Sequence, residues 1–306
     1  MGRVLLAPDK FKGTLTAVEV AGYLADGIRT ARPDVDIVTV PMADGGDGLL
    51  DAFEVAGFER VYLDVAGPSG VVGPTSYVRR GPEAVVELAA VAGLAMLGDS
   101  LAPLTATSRG VGAALAAVLD AGCTHIVLGI GGSASTDGGI GMVQALGARV
   151  LDESGDEVGD GGLGAHSAVT LDVSGLHALL AHASLEVACD VDNPLVGEHG
   201  AAAVYAPQKG ATPEEVALLD GALDRWADVV AASTGADLRD SPGAGAAGGV
   251  GFAAMAVLGA TLRPGVELVL DLLNYADELV RADLVVTGEG SLDEQSLIVK
   301  APAGVS

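Results

Sequence analysis

The chain has four lysines in 306 residues, Lys10, Lys12, Lys209 and Lys300, and its sixteen basic residues face forty-one acidic ones for a formal charge of −25. An anionic surface repels phosphate backbones, so nucleic acid and anionic membrane surfaces are disfavoured as partners. Aromatic residues reach only 3%, which removes the stacking platforms that single-stranded nucleic acid needs. Cys123 and Cys189 are the only cysteines, leaving neither a disulfide framework nor a CxxC metal site. No apolar run approaches the roughly 18 residues of a membrane span, and the N-terminal stretch Val4 to Ala7 is too short for a signal peptide, so a soluble cytoplasmic protein is expected. The absence of any Gly-Lys dipeptide excludes a Walker P-loop, and the absence of a His-Arg-Asp triplet removes support for a protein kinase. The five histidines show no metal-binding spacing such as HExxH.

What is present is apolar and glycine-rich: 50% hydrophobic residues and 45 glycines, ample for a folded core, in a length that suits about two domains. Short apolar runs alternate with helical patterns, as in βαβ units around a parallel sheet. Strands are expected at Val4–Ala7, Ile37–Val40, His125–Ile130, 185–189 and 283–287. Helices are expected from Thr16 to Pro33, with a capping box to Glu19, and from Pro213 to about Ala232, with a second box from Thr212 to Glu215. Others are expected over Leu49–Ala56 and over 109–121, the latter capped by Ser108. Around Val71 to Leu88 the pattern turns to two extended segments joined by Arg79-Arg80-Gly81-Pro82, an antiparallel hairpin and a change of domain.

The strand ends carry the chemistry. Asp9, Asp44, the GGSASTDGG loop of residues 131–139, Asp190 and Gly288-Glu289-Gly290 each follow an expected strand, where open parallel sheets bind ligands. The lysines sit in DKFKGT, PQKGAT and VKAPAG, with Gly or Pro close by, so that backbone N–H groups can approach an anion. Acidic residues with lysines in one crevice suit a magnesium–nucleotide complex. GIGGSA (129–134) and GVGFAA (249–254) fit a relaxed GxGxxA pattern, which allows a dinucleotide; Gly-Gly-Ser at a strand-to-helix turn serves a mononucleotide phosphate equally well. Asp190-Val191-Asp192-Asn193-Pro194 reads either as an Asx-type turn or as a base with a metal ligand. An NAD-type oxidoreductase, resting on GIGGSA and Asp152, is the rival enzyme class, and a ligand-binding remnant without activity is the non-enzymatic one.

Eight blocks run in order along the chain: APDKFKGTLTAVEVA (7–21), VPMADGGDG (40–48), TSRGVGAAL (107–115), GIGGSASTDGGIG (129–141), ACDVDNPL (188–195), PQKGAT (207–212), GAAGGVG (245–251) and TGEGSLDEQSLIVKAP (287–302). Together they resemble the bacterial glycerate kinases. The resemblance implies ATP-dependent phosphorylation of D-glycerate, the 2-hydroxyl ahead of the 3-hydroxyl, with Mg²⁺. It also implies a flavodoxin-like outer domain, set at 1–68 plus 265–306, with a second α/β domain inserted at 69–264. A homodimer is compatible with it. Family members continue past the KAP motif, so a C-terminally truncated chain is expected, and Val299 stands where the family usually has Gly, Arg109 where Tyr is common.

Within these loops the roles are inferred from residue chemistry: Asp190 is expected to be the catalytic base, with Asp192 and Asp44 beside Mg²⁺. Lys12, backed by Lys10 and the helix starting at Ala17, would hold phosphate or the glycerate carboxylate. Ser133 with Gly131 and Gly132, Gly45 and Gly46, and Asp137 and Asn193 would line the ligands. Lys209, Glu289, Asp293 and Lys300 would close the cleft.

Overall fold

The computed structural model describes residues 2–11, 13–43, 46 and 48–290. Lys12, Asp44, Gly45, Asp293 and Lys300 lie outside the described residues. In chain order the elements are β1 (Arg3–Pro8), α1 (Ala17–Ala31), β2 (Asp36–Thr39), α2 (Leu49–Val55), β3 (Glu59–Ala66), β4 (Val72–Arg80), β5 (Glu83–Glu87), α3 (Leu88–Ala92), α4 (Arg109–Asp120) and β6 (His125–Gly129). There follow α5 (Ile140–Ala145), β7 (Arg149–Leu151), α6 (Gly161–Ser167), β8 (Thr170–Asp172), β9 (Ser184–Ala188), α7 (Ala201–Tyr205) and α8 (Pro213–Thr234). The last are α9 (Val250–Ala256), β10 (Thr261–Arg263), α10 (Gly265–Leu272), α11 (Tyr275–Arg281) and β11 (Leu284–Gly288).

Val4, Leu5, Leu6 and Ala7 form an unbroken apolar run because β1 is the middle of a parallel sheet ordered β11-β1-β2 and is buried on both faces. Strand order reverses around β1: the chain crosses through α1 to β2 on one side, and β11 pairs on the other, with Pro8 level with Gly288. A ligand crevice opens at such a reversal.

The larger sheet is ordered β10-β9-β6-β5-β4-β3 and is mixed. β5, β6, β9 and β10 run parallel, whereas β4 is antiparallel to both β3 and β5. The expected hairpin is β4–β5, closed by Arg80 opposite Glu83 around Gly81 at φ 59°. Among the described residues four strands were not expected: β10 at one edge of this sheet, the separate β7–β8 pair, and β3, which brings the chain into this sheet at Glu59 and pairs along its whole length with β4.

Both capping boxes form. Thr16 Oγ accepts from Glu19 N at 3.2 Å while Glu19 accepts from Thr16 N at 2.8 Å, and Thr212 with Glu215 repeats the exchange with Pro213 in the first turn. Ser108 departs from expectation. It makes no cap hydrogen bond to α4; its hydroxyl donates to Asp137 at 2.7 Å and accepts from Met142 N at 3.0 Å. A buried carboxylate twenty-nine residues away is a stronger acceptor than the local cap geometry offers.

Two main cores result. One surrounds Trp226, Phe252 and the helices of the larger sheet's outer face. The other is continuous from Leu5 and Ala7 of β1 through Leu49, Leu50 and Phe53 of α2 and Val266, Leu268 and Val269 of α10 to Val78, Val85 and Val127 of the larger sheet. Among the described residues no helix is long and apolar enough to cross a membrane.

Candidate active site

The carboxyl ends of β1, β2 and β6 meet around a cleft of about 740 Å³ lined by Lys10, Phe11, the Gly13–Glu19 segment, Met42, Gly46, Gly48, Asp51, Gly131 and Gly132. The capped N-terminus of α1 faces into it. The backbone N–H groups of the first turn at a helix start carry a partial positive charge, so this wall favours an anion. Next to Lys10 in sequence, Asp9 is 5% exposed, its carboxylate accepting from Lys10 N at 2.6 Å, while Asp9 N donates to Gly288 O at 2.8 Å. That backbone bond brings the β1 and β11 ends, and so Lys10 and Glu289, to one rim.

A second, smaller lobe of about 390 Å³ shares the Gly131–Gly132 wall and extends along Ser133, Ala188–Val191, Tyr205, Gln208, Lys209 and Ala246–Ala247. Gly132 sits at φ 72°, a conformation that glycine takes at no steric cost. Asp190 leaves β9 into this lobe, and its Oδ1 accepts from Gly265 N at 2.8 Å, the first residue of α10. The carboxylate is thus aimed by a helix start and remains exposed to the lobe.

The loop between β6 and α5 explains how the wall is held. GIGGSA does not turn straight into a helix; α5 begins only at Ile140, and the ten residues between are pinned from three sides. Leu94 N donates to Gly132 O at 2.8 Å, Ala134 N to Ala92 O at 3.0 Å, and Trp226 Nε1 to Gly138 O at 3.0 Å. Asp137 is fully buried, and its carboxylate accepts from Ser108 N (2.9 Å), Ser108 Oγ (2.7 Å), Gly139 N (3.1 Å) and Gly141 N (3.4 Å). Gly138 is forced: at φ +64°, a Cβ there would lie 2.5 Å from the Trp226 ring.

Lys209, only 2% exposed, donates from Nζ to Ser133 Oγ at 2.9 Å and to Ser135 O at 2.5 Å. Burial pushes its ammonium down to about 7, with the charge of Asp137 opposing the shift. A lysine that gives up its proton in the folded state while the unfolded chain keeps it makes stability rise with pH between about 7 and the ordinary lysine range. Below about 7 both states are protonated and the burial cost is fully present. The wild-type unfolding free energy relative to Lys209→Met is therefore expected to be flat below neutrality and to climb above it, by at most about 1.4 kcal/mol per pH unit. Urea unfolding of both proteins in acidic and alkaline buffer measures this, and a difference independent of pH would show that Lys209 keeps its proton.

The larger lobe thus gathers Lys10, Gly46, Gly131 and Gly132 of the expected set, and the smaller one Gly131, Gly132, Ser133, Asp190 and Lys209. Asp192 is exposed one residue past the lobe's lining. Asn193 spends its side chain on the fold: Nδ2 donates to His199 O at 2.8 Å and Oδ1 accepts from Tyr205 Oη at 2.6 Å. Asp152 accepts from Ser154 N and Asp156 N within its own turn, so the acidic partner of a dinucleotide site is committed elsewhere. Tyr205, Gln208 and the Ala246–Ala247 turn line the smaller lobe without having been expected. Ala247 at φ 52° precedes Gly248 at φ 69°, where a Cβ would lie 2.0 Å from Ser135 O.

Parallel strand ends, a helix N-terminus, a glycine wall and an aimed carboxylate around one two-lobed cleft define an α/β enzyme built for small anionic substrates. The chain matches the glycerate kinase family over residues 4–306. It is 44% identical to the glycerate 2-kinase of Escherichia coli K12 and 43% identical to the glycerate kinase of Bacillus subtilis 168, each over 99% of this chain and 81% of the relative. A Salmonella typhimurium LT2 crystal structure described as glycerate kinase 2 superposes with a TM-score of 0.94 at 45% identity, covering 99% of this chain and 82% of that one. The chain belongs to the glycerate kinase family.

Proposed function

We propose that the protein transfers the γ-phosphoryl group of ATP to the 2-hydroxyl of D-glycerate in the cytoplasm. The observation that carries the reading is the shared Gly131–Gly132 wall: two unequal lobes meet where the backbone has no side chains. The larger lobe has room for a nucleotide, and the α1 N-terminus with Lys10, joined by Lys12 of the same segment, suits its phosphates. The smaller lobe has room for a three-carbon acid beside Asp190. Phosphoryl transfer needs mainly in-line positioning and charge neutralisation, and bare backbone at the junction lets the transferring group approach N–H donors.

Asp190, held by Gly265 N, orients the glycerate hydroxyl and accepts its proton. Mg²⁺ keeps most of its waters and needs few protein ligands, so the exposed Asp192, with Asp44, suits it; when bound, the ion neutralises phosphate charge. Asp137 and Asn193 act as positioning residues, and Glu289, with Asp293 and Lys300 of the same sequence block, is assigned to ligand binding. The chain is read as an outer flavodoxin-like domain over residues 1–68 plus 265–306 with an α/β domain inserted at 69–264.

The choice of hydroxyl follows the name of the Escherichia coli relative. Incubation with MgATP and D-glycerate is expected to give a product whose phosphorus couples to one carbon-bound proton in ³¹P NMR. Coupling to two protons would assign the 3-hydroxyl, and no phosphoglycerate at all would sink the kinase reading.

A further inference from the structure

The two walls of the smaller lobe are held by one short segment. α7 ends at Tyr205, and a single turn of 3₁₀ helix over Pro207–Lys209 follows. Tyr205 reaches one way, its hydroxyl donating to Asn193 Oδ1 at 2.6 Å; Lys209 reaches the other way, to Ser133 Oγ and Ser135 O. The segment is thereby a strut between the turn that carries Asp190 and the glycine wall.

On the Asp190 side the strut has a specific grip. The turn is tied at its start by Cys189 N donating to Arg263 O at 2.9 Å and by Asp190 Oδ1 accepting from Gly265 N. At its far end everything converges on Asn193: its carbonyl accepts from Gly245 N at 2.9 Å, its amide donates to His199 O, and its Oδ1 takes the Tyr205 proton. Both ends of the Asn193 amide are used, so its rotation is fixed and with it the path of Val191 and Asp192.

We infer that Tyr205 is a positioning residue for the phosphoryl transfer, acting through Asn193 to fix the Asp190 turn at the distance from the Gly131–Gly132 wall that in-line attack requires. The ring is itself part of the lobe's lining, so the same side chain shapes the space and aims the carboxylate. Misplacement of a reacting group by a fraction of an ångström costs rate rather than nucleotide binding. The inference rests on the role given to Asp190 above.

The test is a double-mutant cycle on the full chain, with Tyr205→Phe, Asp190→Asn and the pair, read as phosphoglycerate formation. Tyr205→Phe is expected to lower kcat about tenfold, with KM for ATP within about twofold and the thermal midpoint nearly unchanged. In the Asp190→Asn background the same change is expected to have less than about a twofold effect, because nothing remains to be aimed. Asn193→Ala, which removes the link but leaves the ring, is expected to repeat this pattern. An equal loss in both backgrounds, or a Tyr205→Phe enzyme with normal kcat, overturns the inference. Normal turnover of Asp190→Asn alone would instead overturn the assignment of the base, so the two failures are distinguishable.

Discussion

Asp190→Asn is expected to lower turnover by roughly a hundredfold or more, the typical contribution of a positioned general base, while the far-UV CD spectrum stays that of the wild type. The substitution is nearly isosteric, and the amide oxygen can still accept from Gly265 N, which is 2.8 Å from Oδ1. The turn therefore keeps its shape, and what disappears is the negative charge and the ability to take a proton. Steady-state phosphoglycerate formation at saturating MgATP and D-glycerate measures the effect. Turnover near that of the wild type would remove Asp190 from the chemistry and leave the lobe's other groups to account for it.

The second large effect is on stability. Asp137→Asn is expected to destabilise the fold by about 3 kcal/mol or more, the usual cost of breaking a buried, charge-assisted network. Oδ2 alone accepts from Ser108 N, Ser108 Oγ and Gly141 N. An amide offers one oxygen and one NH₂, so either orientation of Asn turns N–H donors toward N–H donors inside a dry interior. The carboxylate also opposes the deprotonation of Lys209, so its loss lowers the lysine further and weakens the grip on Ser133. Urea denaturation measures the change; a loss below about 1 kcal/mol would mean that the loop is held by Trp226 and its backbone bonds instead.

How much of this was legible in the sequence depended on how far the deciding partner lay along the chain. The boxes at Thr16 and Thr212 are local exchanges over three residues, and both formed as read. β1 and β6 announce themselves because buried parallel strands need apolar runs, whereas the half-buried β9 and β11 were read from shorter ones. β3 was missed although Val61, Leu63 and Val65 alternate with Arg60, Tyr62 and Asp64, since an antiparallel edge strand in such a chain looks like a connector until β4 pairs with it. Asp137 and Asn193 were read as ligand groups because they lie in the matching blocks beyond the ends of β6 and β9. Their partners, Ser108 twenty-nine residues back and Tyr205 twelve residues ahead, follow from topology and from no local pattern. Tyr205 itself gave no signal for the same reason.

The apolar core that passes from β1 through α2 and α10 into the larger sheet limits how this enzyme can move. Two sheets joined only by strands of chain could swing about a hinge and open the cleft widely. Helices packed against both cannot separate from either without exposing Phe53, Leu268 and Val269, which are buried in the closed interior. Adjustment around substrates is therefore a matter of shear, small sliding of packed helices past strands. Gly131 and Gly132, which line both lobes, are the place about which such sliding would change the angle between them.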